Sequence, residues 1–250
     1  MARQRTRQTT KPRVSRLRKG SVIATSTPPP ATSSTTGANE TAQRQLLPYD
    51  LFDACIGRAR NLLRIHEAAH GRRAKPDPYM ADAHRAAVVL AVAALDAFVR
   101  AYIIGRVRHV LASGEPLTEA LSIQVKRFLK DDGLLEAARQ SDLLERVEKA
   151  FSADFEKRAF QGVKVISEYM AMVGHANIFH DISSAAKLNE DMLRAQLDQY
   201  TGRRHVIAHR GDFDLTRNPP TENRITKADA EECIKVVCCI AEHIHRLGKS

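Results

Sequence analysis

From Tyr49 onward, apolar residues recur at three- and four-residue spacing, and this periodicity limits the chain more than any other feature. The alternation of apolar and polar residues that marks strands is nearly absent. Strong helix formers dominate the same region, and no internal repeat is visible. The sequence has 250 residues, enough to bury a substantial core. The pattern predicts an all-α fold, a helical bundle with inserted short helices, over residues 45–250.

Glycine, proline and capping residues divide this region into helices. The predicted helices cover about 49–70, 79–112, three or four short segments within 117–185 separated by "DDG", "FSAD" and "GHAN", then 189–209 and 226–246. In the first of them Leu51, Cys55, Leu62 and Ile65 share the predicted inner face. Gly211 is expected to end the helix over 189–209, and "RNPPTEN" is expected to form a loop.

Residues 1–44 differ in composition from the rest of the chain. They contain nine Lys or Arg and one acid, so this tail carries +8 of the net charge of +10 and leaves +2 for the remainder. The segment "TSTPPPATSSTTG" has too little apolar surface to fold. We expect a disordered basic tail that attracts polyanions, or one that serves only for solubility or targeting.

The sequence also gives expectations about compartment. No apolar segment follows the basic N-terminus, as it would in a secretory signal, although an organellar transit peptide shares the composition of the tail. The run "AAVVLAVAAL" at 86–95 is too short to span a bilayer. Cys55, Cys233, Cys238 and Cys239 form no C-x-x-C pair and fit reduced core residues. We expect a cytoplasmic protein without membrane contact.

The segment "HEAAH" at 66–70 spells the local signature of a zinc protease. His66 and His70 lie at i and i+4 on one helix face with Glu67 between them. A catalytic zinc needs a third protein ligand, and "GRRAKPDPY" ends the helix at once without supplying one. A zinc hydrolase is therefore the weaker alternative, and no metal or other cofactor is predicted.

The segment "QYTGRRHVIAHRGDFD" at 199–214 concentrates Arg203, Arg204, His205, His209 and Arg210. His205 and His209 share one helix face, whereas Arg204 and His209 are five residues and so about 140° apart. They converge only if the helix ends or tightens between them, or if two subunits supply one residue each. Cationic side chains also favour the last turn of a helix for electrostatic reasons alone.

An arginine and a histidine beside a phosphodiester are sufficient for metal-free RNA cleavage. A neutral imidazole can take the proton of a ribose 2′-hydroxyl. A guanidinium can pair with phosphate oxygens and stabilise the added charge of the transition state. His209 is the candidate base, Arg204 the candidate phosphate ligand, His205 a supporting group, and Arg203 and Arg210 candidate substrate-binding residues.

Asp96 lies in the most apolar predicted helix, on one face with Val92, Val99 and Ile103. A carboxylate at an apolar interface needs a partner. Arg204 is one candidate, which Asp96 would orient toward the phosphate. Arg100, at i+4, is the other.

The sequence "RRHVIAHRGD" at the end of a late helix resembles the motif of the HEPN superfamily, and most closely the RiboL-PSP-HEPN group. The helix "LAVAALDAFVRAYI" resembles the early helix of that family, and Asp96 matches its acidic residue that faces the motif. The resemblance covers roughly residues 47–247 and omits the tail. His205 stands where the family often has Asn.

The resemblance implies a metal-independent endoribonuclease, commonly a homodimer whose two motifs face one RNA cleft. Such domains often act as toxins or in defence against phage, which implies an antitoxin or partner protein. Some members bind nucleic acid without cutting it. A non-catalytic nucleic-acid-binding or partner-binding module is therefore the alternative function.

Overall fold

The structure, a computed structural model, describes residues 48–70 and 79–248. The elements are α1 (Pro48–His70), α2 (Met80–Ser113), α3 (Glu119–Gln140), α4 (Leu143–Phe155), α5 (Val163–Met172), α6 (Ile178–Ala186), α7 (Glu190–Arg210), β1 (Phe213–Asp214), β2 (Thr221–Glu222) and α8 (Lys227–Leu247). This order confirms the predicted all-α bundle with inserted short helices. The predicted tail and its boundary at residue 45 lie outside the described residues.

Helix α2 is the centre of the bundle and packs against α1, α8, α7 and α4. Its predicted inner face is confirmed, because Val92, Val99 and Ile103 are fully buried. By length and composition α2 is long and apolar enough to cross a membrane. The apolar stretch that meets this criterion is longer than the ten-residue run at 86–95. Half of that window is buried within the bundle, as expected for a central core helix.

The predicted inner face of α1 is only partly buried, because Cys55 and Leu62 pack against the core but the two ends of the stripe do not. Leu51 and Ile65 are about half exposed, whereas the buried residues are Phe52, Ile56, Ala59 and Leu63. Both sets have helical spacing, so the periodicity alone did not distinguish them. The arrangement of α1 against α2 and α8 decides which set is covered.

The middle of the chain contains the predicted short helices, and one of their three predicted breaks is displaced. The break at "DDG" is confirmed to within one residue, because the helical conformation of α3 is interrupted at Lys130 (φ 54°) and then resumes to Gln140. The segment "FSAD" lies inside α4. The predicted break at "GHAN" is confirmed between α5 and α6.

The two helices after this region begin and end within a residue or so of their predicted positions. Asn189 caps α7 by accepting a hydrogen bond from the Met192 amide. Thr226 and Asp229 cap α8 reciprocally, each side chain bonding the other residue's backbone N–H. Between α7 and α8, "RNPPTEN" is not wholly a loop, because it contributes β2 to a short antiparallel hairpin with β1.

The four cysteines are free thiols, with Cys233 buried and the other three partly buried. Cys55, Cys238 and Cys239 pack against the core, which agrees with the predicted role as reduced core residues. Burial raises the pKa of the Cys233 thiol to about 12, so it remains protonated near neutral pH.

We expect the bundle to lose stability when the pH falls below about 6.5, the ordinary pKa of histidine. Burial is the main cause that lowers the pKa of His84, His175 and His243. The unfolded chain therefore binds more protons than the folded one in this range, and the free energy of unfolding falls as the pH falls. Urea unfolding at pH 7.5, 6.5 and 5.5 would measure the decline, and His84→Gln should make it shallower. An equal decline in that variant would contradict the assignment.

Candidate functional site

Residues 203–210, which we call the basic-histidine segment, form the last two turns of α7. The buried stripe of this helix is Leu193, Leu197 and Tyr200, and Arg204 follows Tyr200 at the next position of the same stripe. Arg204 is accordingly half-buried, unlike a guanidinium on an outer helix face. The core-facing stripe of α7 thus ends in a cationic group.

The guanidinium of Arg204 has no counter-ion within the described part of the chain. Its Nε atom is buried, and no described group accepts a hydrogen bond from it. A buried guanidinium nitrogen without an acceptor is unfavourable. An anion at this position would supply the missing acceptors, and phosphate oxygens suit the planar donor geometry of arginine.

His205 and His209 are exposed on another face of α7. Their ring centroids are 4.5 Å apart with an interplanar angle of 45°, so the predicted shared face is confirmed. Two imidazoles in contact on an open surface are accessible to a ligand from solvent. Arg210 is also exposed, and no described residue forms an ion pair with it.

Helix α7 does not end between Arg204 and His209. It continues to Arg210 and terminates at Gly211, whose left-handed conformation (φ 59°) is the predicted cap. The two residues are therefore about 140° apart around the axis. The first predicted route, an end of the helix between Arg204 and His209, is therefore not seen in α7. A site shared by two subunits stays a prediction.

Arg203 has a structural partner that the sequence analysis did not foresee. Its Nη2 donates to Oδ2 of Asp212 at 2.7 Å, and the same oxygen accepts from Nε of Arg85 on α2 at 2.8 Å. The Asp212 side chain is fully buried, so its charge is balanced by these two guanidiniums. Arg203 was predicted to bind substrate, and this stays a prediction; in the structure its Nη2 binds the buried carboxylate of Asp212.

The contacts of Asp212 extend into the hairpin. The amide N–H of Asn223 donates to the Asp212 carbonyl oxygen at 2.8 Å, and its side-chain amide donates to the same oxygen at 2.9 Å. Arg85 donates in turn to the Asn223 carbonyl at 2.9 Å and pairs with Glu222 at 2.9 Å. We call Arg85, Arg203, Asp212 and Asn223 the Asp212 clamp, since they join α2, the end of α7 and the base of the hairpin.

Asp96 pairs with Arg100 and not with Arg204. Arg100 Nε donates to its carboxylate at 2.7 Å, and the Phe160 amide N–H donates to it as well. The predicted Asp96–Arg204 pair is therefore corrected in favour of the i+4 alternative. Two residues four positions apart on a helix are already in reach of each other, so this pair forms without long-range packing.

Asp96 is nevertheless connected to the motif helix through one neighbouring segment. Phe160, whose amide it accepts, precedes Gln161, and the Gln161 carbonyl accepts a hydrogen bond from Thr201 Oγ1 at 2.8 Å. Thr201 lies one turn before His205 on α7. Asp96 thus fixes a segment that packs beside the basic-histidine surface.

The zinc alternative falls largely outside the described side chains. His66 and His70 belong to the last turn of α1, where only the backbone is described. Across residues 48–70 and 79–248, no group of three or more His, Cys, Asp or Glu is arranged to hold a metal ion. Zinc binding by the HEAAH segment stays a prediction.

A groove of about 1000 Å³ lies between α1, α6 and α8. Arg60, Arg64, Ile182, Lys235 and Cys238 are among its lining residues. None of the residues 203–210 lines it. The basic-histidine surface is therefore separate from this cavity, and it is open to solvent.

The sequence analysis missed Arg85, Asp212 and Asn223. A usable signal was present, because Arg85 is a cation at the start of the most apolar helix and Asp212 is an acid directly after a helix-ending glycine. Each needs a counter-charge if the helix ends are buried. Arg85 and Asp212 are 127 residues apart in the chain. Over such a separation the spacing of residues does not indicate which of them will be in contact.

The fold and site together define an all-α domain with an Arg-His motif at the end of a late helix, supported by an early helix that carries an acidic residue. A comparison with protein families matches the RiboL-PSP-HEPN model over residues 55–247. The chain belongs to the RiboL-PSP-HEPN family, and HEPN domains commonly include ribonucleases. Comparisons with curated proteins and with solved structures gave no match.

We expect Asp212→Ala to reduce the free energy of unfolding by roughly 3–5 kcal/mol, since it leaves two guanidiniums without their buried counter-charge. Asp214→Ala is the matched control. That carboxylate pairs with the exposed Arg217, and its loss should cost much less stability than the loss of Asp212. Urea unfolding of both variants measures the difference. Equal stabilities would show that the clamp does not hold the fold.

Proposed function

We propose that this protein is a metal-independent endoribonuclease. The observation that carries the proposal is the state of the motif: no described residue forms an ion pair with Arg204, and His205 and His209 are exposed beside each other. Nε of Arg204 is buried without an acceptor, as is Nε of Arg203, but of the two only Arg203 has a carboxylate partner, Asp212. Membership of a family rich in ribonucleases adds to this.

The chemistry follows from the residue types. Neutral His209 accepts the proton of a ribose 2′-hydroxyl, and the 2′-oxygen then forms a bond to the adjacent phosphorus. Arg204 binds the phosphate oxygens and stabilises their increased charge in the transition state. The bond from phosphorus to the 5′-oxygen breaks, and this oxygen takes a proton from water or from His205. The products are a 2′,3′-cyclic phosphate and a 5′-hydroxyl.

The role of the remaining predicted residues is adjusted by the contacts described above. Arg210, exposed and without an ion pair to any described residue, is the better candidate for binding the RNA backbone than Arg203. Asp96 acts as a positioning residue, because its bonds to Arg100 and Phe160 fix the segment beside Thr201. We infer no direct contact between Asp96 and RNA.

We further propose that two copies of the chain form the active unit. A single regular helix holds Arg204 and His209 about 140° apart, so two-fold pairing of α7 helices is the simplest way to bring one of each to the same phosphate. A cytoplasmic toxin or defence effector, restrained by a partner protein, is the biological role that fits such an activity. No membrane contact is proposed.

Cleavage of single-stranded RNA by the purified protein should persist in excess EDTA. His209→Ala and Arg204→Ala should each reduce the rate at least about 100-fold, the usual contribution of a general base or a charge-stabilising group. Arg64→Ala, in the groove lined by α1, is the control and should retain full activity. Gel analysis of labelled RNA measures the rates. Loss of cleavage in EDTA, or its survival in His209→Ala, would contradict the mechanism.

Mixing the two inactive variants tests the shared site directly. Heterodimers of Arg204→Ala with His209→Ala contain one site with both residues intact and one site with neither. After mild denaturation and joint refolding, activity should return to about a quarter of the wild-type level if subunits exchange at random. No recovery, with heterodimers demonstrated by tagged purification, would place both residues in one subunit.

A further inference from the structure

Phe213 is the first residue of β1 and follows the basic-histidine segment by three positions. Helix α7 and β1 are in contact, and the Phe213 ring lies over Gly211, 3.7 Å from where a Cβ on that glycine would be. The ring is thus held against the end of the helix that carries His209 and Arg210.

The exposure of this ring is unusual for the chain. Aromatic residues make up only 5% of the sequence and Trp is absent. Among the described residues, the large hydrophobic side chains that are exposed include two aromatics, Tyr79 and Phe213. Phe213 is 42% exposed, although burial of a phenyl ring is strongly favourable.

The backbone that carries Phe213 is rigidly fixed. Phe213 directly follows Asp212 and pairs with Glu222 across the hairpin. Glu222 is itself neutralised by Arg85 at 2.9 Å. The Asp212 clamp therefore fixes the start of β1 and the end of β2 relative to α7, so the ring is a preorganised surface and does not belong to a free loop.

A cation, Arg210, lies three positions before the ring in the chain, and the cross-strand partner of the ring is an acid, Glu222. Arg210 is exposed and has no ion-pair partner within residues 48–70 and 79–248, and it lies on the last turn of α7 just before Gly211. Single-stranded RNA is bound by basic side chains that follow the phosphates and by aromatic rings on which the bases stack. Arg210 and Phe213 combine these two elements at the end of the helix that carries His209.

We propose that Phe213 is a substrate-binding residue that stacks on a base of single-stranded RNA, next to the phosphate held by the basic-histidine segment. This inference rests on the proposed function for the class of ligand, and it adds an aromatic subsite on the hairpin. Stacking accepts any base, so the subsite favours unpaired RNA without selecting a sequence. Duplex RNA, whose bases are already stacked, is disfavoured.

Binding is best measured on RNA that cannot be cut. A 2′-O-methylated single-stranded oligonucleotide with 2-aminopurine at alternate positions reports stacking through quenching of its fluorescence. The wild-type protein should quench it, whereas Phe213→Ala should bind about tenfold more weakly, equivalent to ~1.4 kcal/mol, and quench little. Phe213→Tyr should restore both binding and quenching, because it keeps the stacking ring.

Two controls make the outcome specific. Leu215→Ala removes another exposed apolar side chain of the same hairpin segment (59% exposed) and should leave quenching unchanged. Phe213→Leu keeps an apolar contact with Gly211 without a flat ring, and should behave like Phe213→Ala. Wild-type quenching and affinity in Phe213→Ala would overturn the proposal. A change of oligomeric state in Phe213→Ala, measured by light scattering, would assign the ring to a contact between two copies and overturn it as well.

The same measurements separate this inference from the proposed function. If the oligonucleotide is quenched in a Phe213-dependent manner but unmodified RNA is never cut, the endoribonuclease proposal fails and the stacking site stands. If RNA is cut with the same KM by the wild-type protein and Phe213→Ala, cleavage stands and the stacking site fails.

Discussion

The fully buried carboxylate of Asp212 is the interaction on which the arrangement of the site depends. A buried charge is stable only when it is paired and hydrogen-bonded, and here Arg85 from α2 and Arg203 from α7 both donate to one oxygen. Because the hairpin backbone joins the same network through Asn223, the end of the motif helix, the central helix and the hairpin are held in one fixed relation.

Arg203 and Arg204 have different surroundings because adjacent residues of a helix are 100° apart around its axis. Arg203 faces Asp212 and serves the fold, whereas Arg204 continues the core-facing stripe and is left without an acceptor among the described residues. Active sites commonly contain such unsatisfied polar groups, because a bound ligand can supply the hydrogen-bond acceptor that the protein lacks.

Support for the motif surface comes from two separate charged groups. Asp96 acts from one side, through Phe160 and the Gln161–Thr201 hydrogen bond. The Asp212 clamp acts from the other side, at the C-terminal end of the helix. Neither carboxylate contacts Arg204. Each instead fixes a backbone segment next to α7, Phe160–Gln161 in the case of Asp96 and the hairpin in the case of Asp212. The all-α RiboL-PSP-HEPN domain thus positions the motif outside the groove between α1, α6 and α8.

The sequence by itself determined the helices, the Gly211 stop, and the shared face of His205 and His209, because all of these depend on local spacing. The family was indicated by a resemblance of the motif, which the match over residues 55–247 confirms. Only the tertiary structure decided which stripe of α1 is buried, that Asp96 takes the nearby Arg100, and that Arg203 binds Asp212. These features depend on how helices distant in sequence pack together. Before that packing is known, the sequence does not distinguish between two apolar stripes of one helix or between two candidate counter-ions for one carboxylate.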